Sequence, residues 1–457
     1  MEIKEWKTNQ QHKVPTQYAH FDFKVTLDDC WDYISDPKKI VKHGFYPFIH
    51  YEIESRKVKA GKKESPKTRQ VYYAAHLDSW IFKYYAYLLN ERYNVRVDHD
   101  GISSVAVAYR TDLKKSNIHF AHEAFDFIKS ASPCYVMIGD FKDFFDSLDH
   151  SLLKQRICDL LSTDQLPDDY YAVFKNATKF CFWELSDLLK LNNLGNRRKD
   201  HRALNRQVKV LSTSEFRANK QLIKPNPGKD QGVPQGSPIS AVFANIYMLD
   251  ADKIINEFVR SNNGFYMRYS DDFMIVLPGN SQMKFAECYK WIVEKLALLT
   301  KQELQPNKTR IYHVEGSKVE NCTSQFIPSM KNGKDIIDFL GFSFNGATIF
   351  LRDKTISKFY YRMYRKIKSI KYYDGRPQYA RRLQKLRKDL FRLYTYKGTI
   401  GYQKNHPQKF QNLSAKNKYR GNFLDYVSKA QEEFENNPIN LSTKNHMKKI
   451  RRKLKGK

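Results

Sequence analysis

Apolar residues alternate with polar ones through YPFIHYEIE (46–54), which predicts a strand running into the basic turn KVKAGKKESPK (57–67). Through TRQVYYAAHLDSWIFKYYAYLLNERYN (68–94) they recur at helical spacing, which predicts one or two helices. SPCYVMIGDFKDFFDSLDH (132–150) passes from an apolar run to Asp140, Asp143, Asp146 and Asp149, the pattern of a strand feeding a helix. The last three of these fall at the start and solvated side of that helix, where negative charge suits the N-terminal dipole.

Residues 151–230 read as helical until LNNLGNRRKDHRALNRQ (191–207), a polar basic stretch without periodicity that predicts a surface excursion. After the turn-prone KPNPGKDQGVPQGSP (224–238), ISAVFANIYMLDADKIINEF (239–258) returns to helical spacing. YMRYS and FMIVLPG then predict two strands that hold Asp271 and Asp272 at a hairpin tip. FAECYKWIVEKLALLT (285–300) predicts an amphipathic helix and KDIIDFLGFSFNG (334–346) a hairpin. Residues 357–397 form a long basic amphipathic region broken at YDGRP (373–377), and RRKLKGK (451–457) reads as a mobile basic tail.

At 457 residues with 41% apolar content, the chain can form several lobes, each with a core. Its net charge of +30 exceeds what solubility asks for and points to a large anionic partner, nucleic acid first. A merely basic or ribosome-associated surface is the alternative. Residues 351–457 carry 30 Lys and Arg against 7 Asp and Glu, so most of the footprint lies there, interleaved with aromatic residues suited to RNA. The six cysteines lack ligand-like spacing, which predicts neither a zinc site nor a disulfide framework and fits a reducing, cytoplasmic setting. The N-terminal MEIKEWKTNQQHK lacks the apolar stretch of a signal peptide, and no run of eighteen apolar residues suggests a membrane partner.

A carboxylate ending a buried strand, Asp140, and one at a hairpin tip, Asp271, converge if their strands are neighbours in one sheet. Their repulsion is most simply relieved by a divalent cation, with plain solvation of acids at a turn as the alternative. Oxygen ligands favour Mg²⁺ or Mn²⁺ over zinc. Two such ions about 4 Å apart could activate a 3′ hydroxyl and stabilise a pyrophosphate leaving group, which is nucleotidyl transfer.

SPCYVMIGDFKDFFDSLDH, QGVPQGSPISAVFANIYMLD and FYMRYSDDFMIV, in that order, resemble the palm motifs of reverse transcriptases, above all those of bacterial retrons, group II introns and phage-defence elements. LQPNKTRIYHV and IDFLGFSFNG resemble the next two palm motifs, and KTRQVYYAAHLD with VAVAYR resembles finger motifs. The resemblance implies an α+β right-hand polymerase with fingers, palm and thumb, its palm an antiparallel sheet packed on helices, and a helical C-terminal extension. The implied division is an N-terminal extension (1–66), fingers and palm (67–346), thumb (347–400) and basic extension (401–457). Asp140 and Asp271 match metal ligands, and Asp272 completes the catalytic acids.

Phe145 matches the bulky residue that stands against the sugar 2′ position, with core packing as the alternative account. Gln235 and Gly236 match the lining of the nucleotide site, which is compatible with a turn capping the next helix. Arg69 and Arg110 match finger residues for the triphosphate and paired base, and Lys308 the lysine near the phosphates. Tyr269, Leu340 and Gly341 match primer-supporting positions, although packing accounts equally well for Leu340.

The chain shows no recognisable RNase H, protease or zinc-bearing endonuclease segment, so it looks most similar to the defence-associated enzymes. The implied partners are a noncoding RNA template, nascent DNA and deoxynucleoside triphosphates. A second defence protein is an implied partner too, and homo-oligomerisation stays open. The competing readings are a retron-type enzyme making RNA-linked DNA, template-independent or protein-primed synthesis, and a non-enzymatic RNA-binding scaffold.

Overall fold

The computed structural model describes residues 2–11, 18–55, 58–59, 62–63, 67–411 and 420–455. The architecture is α+β, with several small sheets packed among helices. Near the N-terminus β1 (Phe48–Ser55) pairs antiparallel with β4 (Lys67–Tyr73), and the short β2 (Val58–Lys59) and β3 (Lys62–Lys63) pair with each other between them. Part of the expected basic turn at 57–67 lies outside the described residues. The expected helix over 68–94 begins only at His76, because Val71, Tyr72 and Tyr73 belong to β4, a segment whose branched and aromatic side chains suit a pleated surface. That helix, His76–His99, has no cap from its own N-cap residue. Asp22 supplies it, accepting from the His76 and Leu77 amides at 3.0 and 2.9 Å.

The region expected to be helical after 150 also contains a strand, β6 (Cys181–Glu184), which lies parallel to β1 and antiparallel to β7 (Lys224–Pro225). The resulting sheet runs β4-β1-β6-β7. The segment 239–258 forms two consecutive helices, Ser240–Tyr247 and Leu249–Ser261.

The central sheet is wholly antiparallel, built from β5 (Cys134–Asp140), β8 (Phe265–Tyr269), β9 (Asp272–Pro278), β10 (Arg310–Glu315) and β11 (Lys318–Asn321). Its order is β11-β10-β5-β9-β8. Both faces are covered, which explains the unbroken apolar runs CYVMIG and FMIVLP. Tyr135, Met137, Phe273 and Ile275 enter a core with the helices Ser240–Tyr247, Leu249–Ser261 and Gln282–Thr300. Val136, Met274 and Val276 enter another with the helix Asn117–Ser130 and the small sheet of β12 (Ile337–Phe339), β13 (Phe342–Phe344) and β14 (Ile349–Leu351).

Beyond β14, the helices Asp353–Tyr373 and Ala380–Tyr394 are separated at the predicted break. They share a core with the helix His446–Leu454 through Met363, Ile367, Leu390 and Ile450. The expected mobile tail is therefore helical as far as Leu454, because Met447, Ile450 and Leu454 form one apolar face against Asp353–Tyr373. The helix Phe423–Glu433 returns to the central sheet's second core through Val427 and Ala430. No described helix is long and apolar enough to cross a membrane.

Candidate active site

Strand register brings the acidic residues together. Asp140, the last residue of β5, is the Cα partner of Asp272, the first residue of β9. Tyr269 also faces Asp272, so β8 and β9 are joined by the two-residue turn Ser270–Asp271. All three carboxylates thus leave one end of the central sheet. Ser270 takes φ +66°, a conformation disfavoured for a residue with a Cβ, and its surroundings hold it there. Its hydroxyl lies 3.0 Å from the Tyr109 phenol, and its carbonyl accepts from Arg268 Nη1 at 3.0 Å. Arg268 is itself buried against Asp252, with Nη2 2.5 Å from Oδ2, and Tyr266 donates to Oδ1 of the same carboxylate at 2.8 Å.

The site carries an electrostatic load. Asp272 is exposed at the head of β9, yet partial desolvation of its carboxyl, followed by the charges of Asp271 and Asp140, pushes it up to about 7. Lys308 Nζ sits 2.5 Å from Asp140 Oδ1 and offsets part of that load. A turn positions Lys308: the Gln305 amide donates to the Asp140 carbonyl at 2.8 Å, and the Lys308 amide returns to the Gln305 carbonyl at 3.0 Å. An oxygen-only donor set under mutual repulsion fits a hard divalent cation. Among the described residues no three His, Cys, Asp or Glu enclose such an ion by themselves.

The segment Gln231–Gly236 runs beside residues 145–150. The Val233 amide donates to the Phe145 carbonyl at 2.8 Å and the Gly232 amide to the Leu148 carbonyl at 2.9 Å. Gln235 Nε2 donates to Asp146 Oδ2 at 3.0 Å, and its carbonyl accepts from the Tyr72 amide of β4 at 2.8 Å. Gly236 has φ +114°, and a Cβ there would stand 2.6 Å from the Tyr72 carbonyl oxygen, so only glycine fits this crossing. Phe145 is half-buried and packs on the first core. Of the other acids near the site, Asp149 caps the helix His150–Leu161 by accepting from the Leu152 amide at 2.8 Å.

Arg69 is exposed on β4. Arg110 is buried and spends its guanidinium within its own loop, donating to the Ser103 carbonyl at 2.6 Å and to Asp112 Oδ2 at 2.6 Å. Tyr269 is half-buried beside the second core. Leu340 and Gly341 form the tight turn between β12 and β13 with φ +45° and +96°, the sign pattern of a type I′ hairpin. Asn117 Nδ2 donates to the Leu340 carbonyl at 2.8 Å and to the Tyr426 hydroxyl at 3.0 Å.

Sequence reasoning missed the supporting residues Tyr109, Arg268, Asp252, Asn117 and Tyr426. Two of these left a signal. Arg268 interrupts an apolar strand, and Asp252 falls on the stripe Leu249, Ile255 and Val259, so each is a charge at a core position.

The family model described as reverse transcriptase (RNA-dependent DNA polymerase) matches residues 198–344. The chain carries a reverse-transcriptase-like domain. The matched stretch contains the Asp271–Asp272 turn, Gln235 and Lys308, whereas Asp140 lies before it and joins the site through the β5–β9 register.

No curated protein matches the sequence. Among solved structures, a Candida tropicalis apo telomerase truncated from its C-terminal domain is 13% identical, with 70% of this chain and 59% of that chain covered and a TM-score of 0.39. Candida albicans telomerase in complex with a TWJ fragment of telomeric RNA is 14% identical, with coverages of 89% and 62% and a TM-score of 0.36. The chain therefore spans less than two thirds of either telomerase chain.

Proposed function

We propose that the protein is an RNA-directed DNA polymerase whose catalytic acids are Asp140, Asp271 and Asp272. The observation that carries this reading is the pairing of Asp140 with Asp272 next to the Ser270–Asp271 turn, with Lys308 against Asp140. In this reading the central sheet is the palm and residues 67–346 are fingers and palm. Residues 347–400 are the thumb, flanked by the extensions 1–66 and 401–457.

Asp140 and Asp271 would hold Mg²⁺, or Mn²⁺ in its place. When bound, the metal supplies positive charge that favours an ionised primer hydroxyl and steadies phosphate oxygens. Asp272 stands beside the primer end. Lys308 is the group assigned to the phosphates, together with the exposed Arg69; Arg110 supports the fingers loop from within. Gln235 and Gly236 line the nucleotide site through a backbone locked to β4, and Phe145 stands against the 2′ position and favours deoxynucleotides. The turn Leu340–Gly341, with Tyr269, supports the primer strand.

We assign the enzyme to the defence-associated group of bacteria, copying a noncoding RNA to protect against phage; its three ordered motifs resemble those of this group and equally those of retron and group II intron enzymes. The protein purified with its retained RNA, supplied with Mg²⁺ and labelled deoxynucleotides, tests both levels when RNA and product are sequenced. The expected product is complementary to one RNA, and Asp271→Asn lowers its yield roughly a hundredfold or more, the scale of losing one charge-stabilising group. A product unaffected by Asp271→Asn overturns the assignment of the acids. A product without a template match, or one attached to the protein, replaces templated copying with untemplated or protein-primed synthesis.

A further inference from the structure

The positive charge of this chain is held in two places. Residues 351–457 account for 23 of the net 30 charges, and residues 190–229 add 11 Lys and Arg against 2 Asp and Glu. The rest of the chain is close to neutral. Most of the second concentration lies in the excursion between β6 and β7, which the polymerase reading does not use. It hangs from the β7 edge of the four-stranded sheet, three strands from β4, and β4 is the strand that meets Gln235 and Gly236. At about 4.8 Å per strand, that is roughly 14 Å across the sheet from the nucleotide side.

The excursion is a packed platform. Leu204, Val210 and Leu211 are buried with Phe21, Trp183 and Leu188, and Asn192 Nδ2 ties it down by donating to the Leu188 and Val210 carbonyls at 2.8 and 2.9 Å. Its cations face outward. Lys190 and Lys224 pair with Asp187 and Glu184. Arg198, Lys199, Arg202, Arg206, Arg217 and Lys220 are exposed and form no ion pair among the described residues. Arg198 and Arg202 lie one turn apart on the helix Arg198–Leu204, where like charges repel unless an outside anion compensates them.

The two basic regions differ in aromatic content. The C-terminal one exposes Tyr361, Tyr372 and Tyr396 at 63%, 58% and 51%, rings able to stack on unpaired bases. Residues 190–229 expose no large aromatic side chain, and the nearby Phe23 ring is covered by Lys209 Nζ at 4.0 Å. Charge without rings reads phosphate, and base-paired RNA is recognised through its backbone and shape.

We infer that the excursion is a second RNA-contact surface, outside the polymerising site, which takes the phosphate backbone of a base-paired RNA stem. The test compares the full-length protein with a quadruple variant, Arg198→Glu, Lys199→Glu, Arg202→Glu and Arg206→Glu. A milder set with Gln at the same positions guards against misfolding and is checked by its thermal melt. Binding of a labelled RNA hairpin with a stem of about 16 base pairs and of oligouridylate is followed by anisotropy across a KCl series.

The stem should bind at least tenfold more weakly to the Glu variant, and its log–log salt slope should shrink by roughly 3, at ~0.7–0.9 for each phosphate that is no longer neutralised. Oligouridylate binding and extension of an annealed homopolymer template and primer should change less than twofold. Unchanged stem affinity and slope in both variants would overturn the inference and point to an acidic protein partner. An equal loss for oligouridylate would overturn the preference for paired RNA. Loss of stem binding with extension intact separates this surface from the catalytic reading, so either can fail alone.

Discussion

Replacing Arg268 by Met would leave the Asp252 carboxylate at 1% side-chain exposure with Tyr266 as its remaining hydrogen-bond donor in this network. In the native chain Asp252 also accepts from Arg268 Nε at 2.9 and 3.1 Å and from Nη2 at 2.5 Å. Breaking a buried pair from one side costs about 3–5 kcal/mol, because the partner charge stays behind without compensation. The double variant Arg268→Met/Asp252→Leu removes both charges from the same space and should be more stable than the single variant, while staying about 1–3 kcal/mol below the native protein because the Tyr266 hydroxyl and the Ser270 carbonyl lose their partners.

Stability and activity should then separate. Arg268 Nη1 also holds the Ser270 carbonyl at 3.0 Å, so the Asp271 turn stays loose in the double variant. A hydrogen bond from a charged donor contributes about 1.5–3 kcal/mol, which corresponds to roughly 10- to 100-fold in nucleotide incorporation. Urea unfolding, with hydrogen exchange at the Met274 and Ile275 amides, reads the first effect, and primer extension reads the second. A cost below about 1 kcal/mol for Arg268→Met, or a double variant no more stable than the single, would refute the electrostatic account. Full activity in the double variant would refute the link between Arg268 and the turn.

Gly236→Ala should reduce incorporation chiefly through a raised nucleotide KM, because the new Cβ, 2.6 Å from the Tyr72 carbonyl oxygen, forces the two backbones apart; steady-state kinetics check this. Asn117→Ala removes the donor to both the Leu340 carbonyl and the Tyr426 hydroxyl, so primer affinity should fall about five- to tenfold with nucleotide KM unchanged, as measured by primer titration. Burial, reinforced by the charge of His76, depresses His20 from 6.5 to about 3, so the folded chain refuses a proton that the unfolded chain accepts. Stability contributed by neutral His20 is therefore full above pH 6.5 and is lost as pH falls towards 3, by about 2 kcal/mol at pH 5. His20→Gln should make the acid limb of a stability–pH curve shallower by one proton.

The parts legible in the sequence were those in which local pattern and long-range pairing agree. The Asp271–Asp272 hairpin, the strand ending at Asp140 and the break between the two long basic helices are each signalled by residues close in the chain. The boundary at His76 was hidden because its cap, Asp22, is supplied from 54 residues away. β6 was hidden because four residues, CFWE, are too few to show a period and owe their strand geometry to β1. The helical end of the chain was missed because charge dominates RRKLKGK, while the residues that anchor it, Met447 and Ile450, lie just upstream. Arg110 shows the converse: a basic residue in the expected place can be consumed by its neighbours, and only the bond to Asp112 reveals it.

The same distinction explains how the chain tolerates its acidic turn. Two adjacent carboxylates facing a third are unfavourable, and nothing within FYMRYSDDFMIV offsets them except Arg268, which is spent on Asp252. The compensation comes from elsewhere: Lys308 arrives on the turn after Gln305, and Tyr109 reaches Ser270 from the loop that Arg110 braces. Arg268 thus contributes rigidity and Lys308 contributes charge, two separate needs met by two separate cations. The Asp272 carboxyl is still left near 7, because Lys308 offsets only part of the repulsion from Asp271 and Asp140.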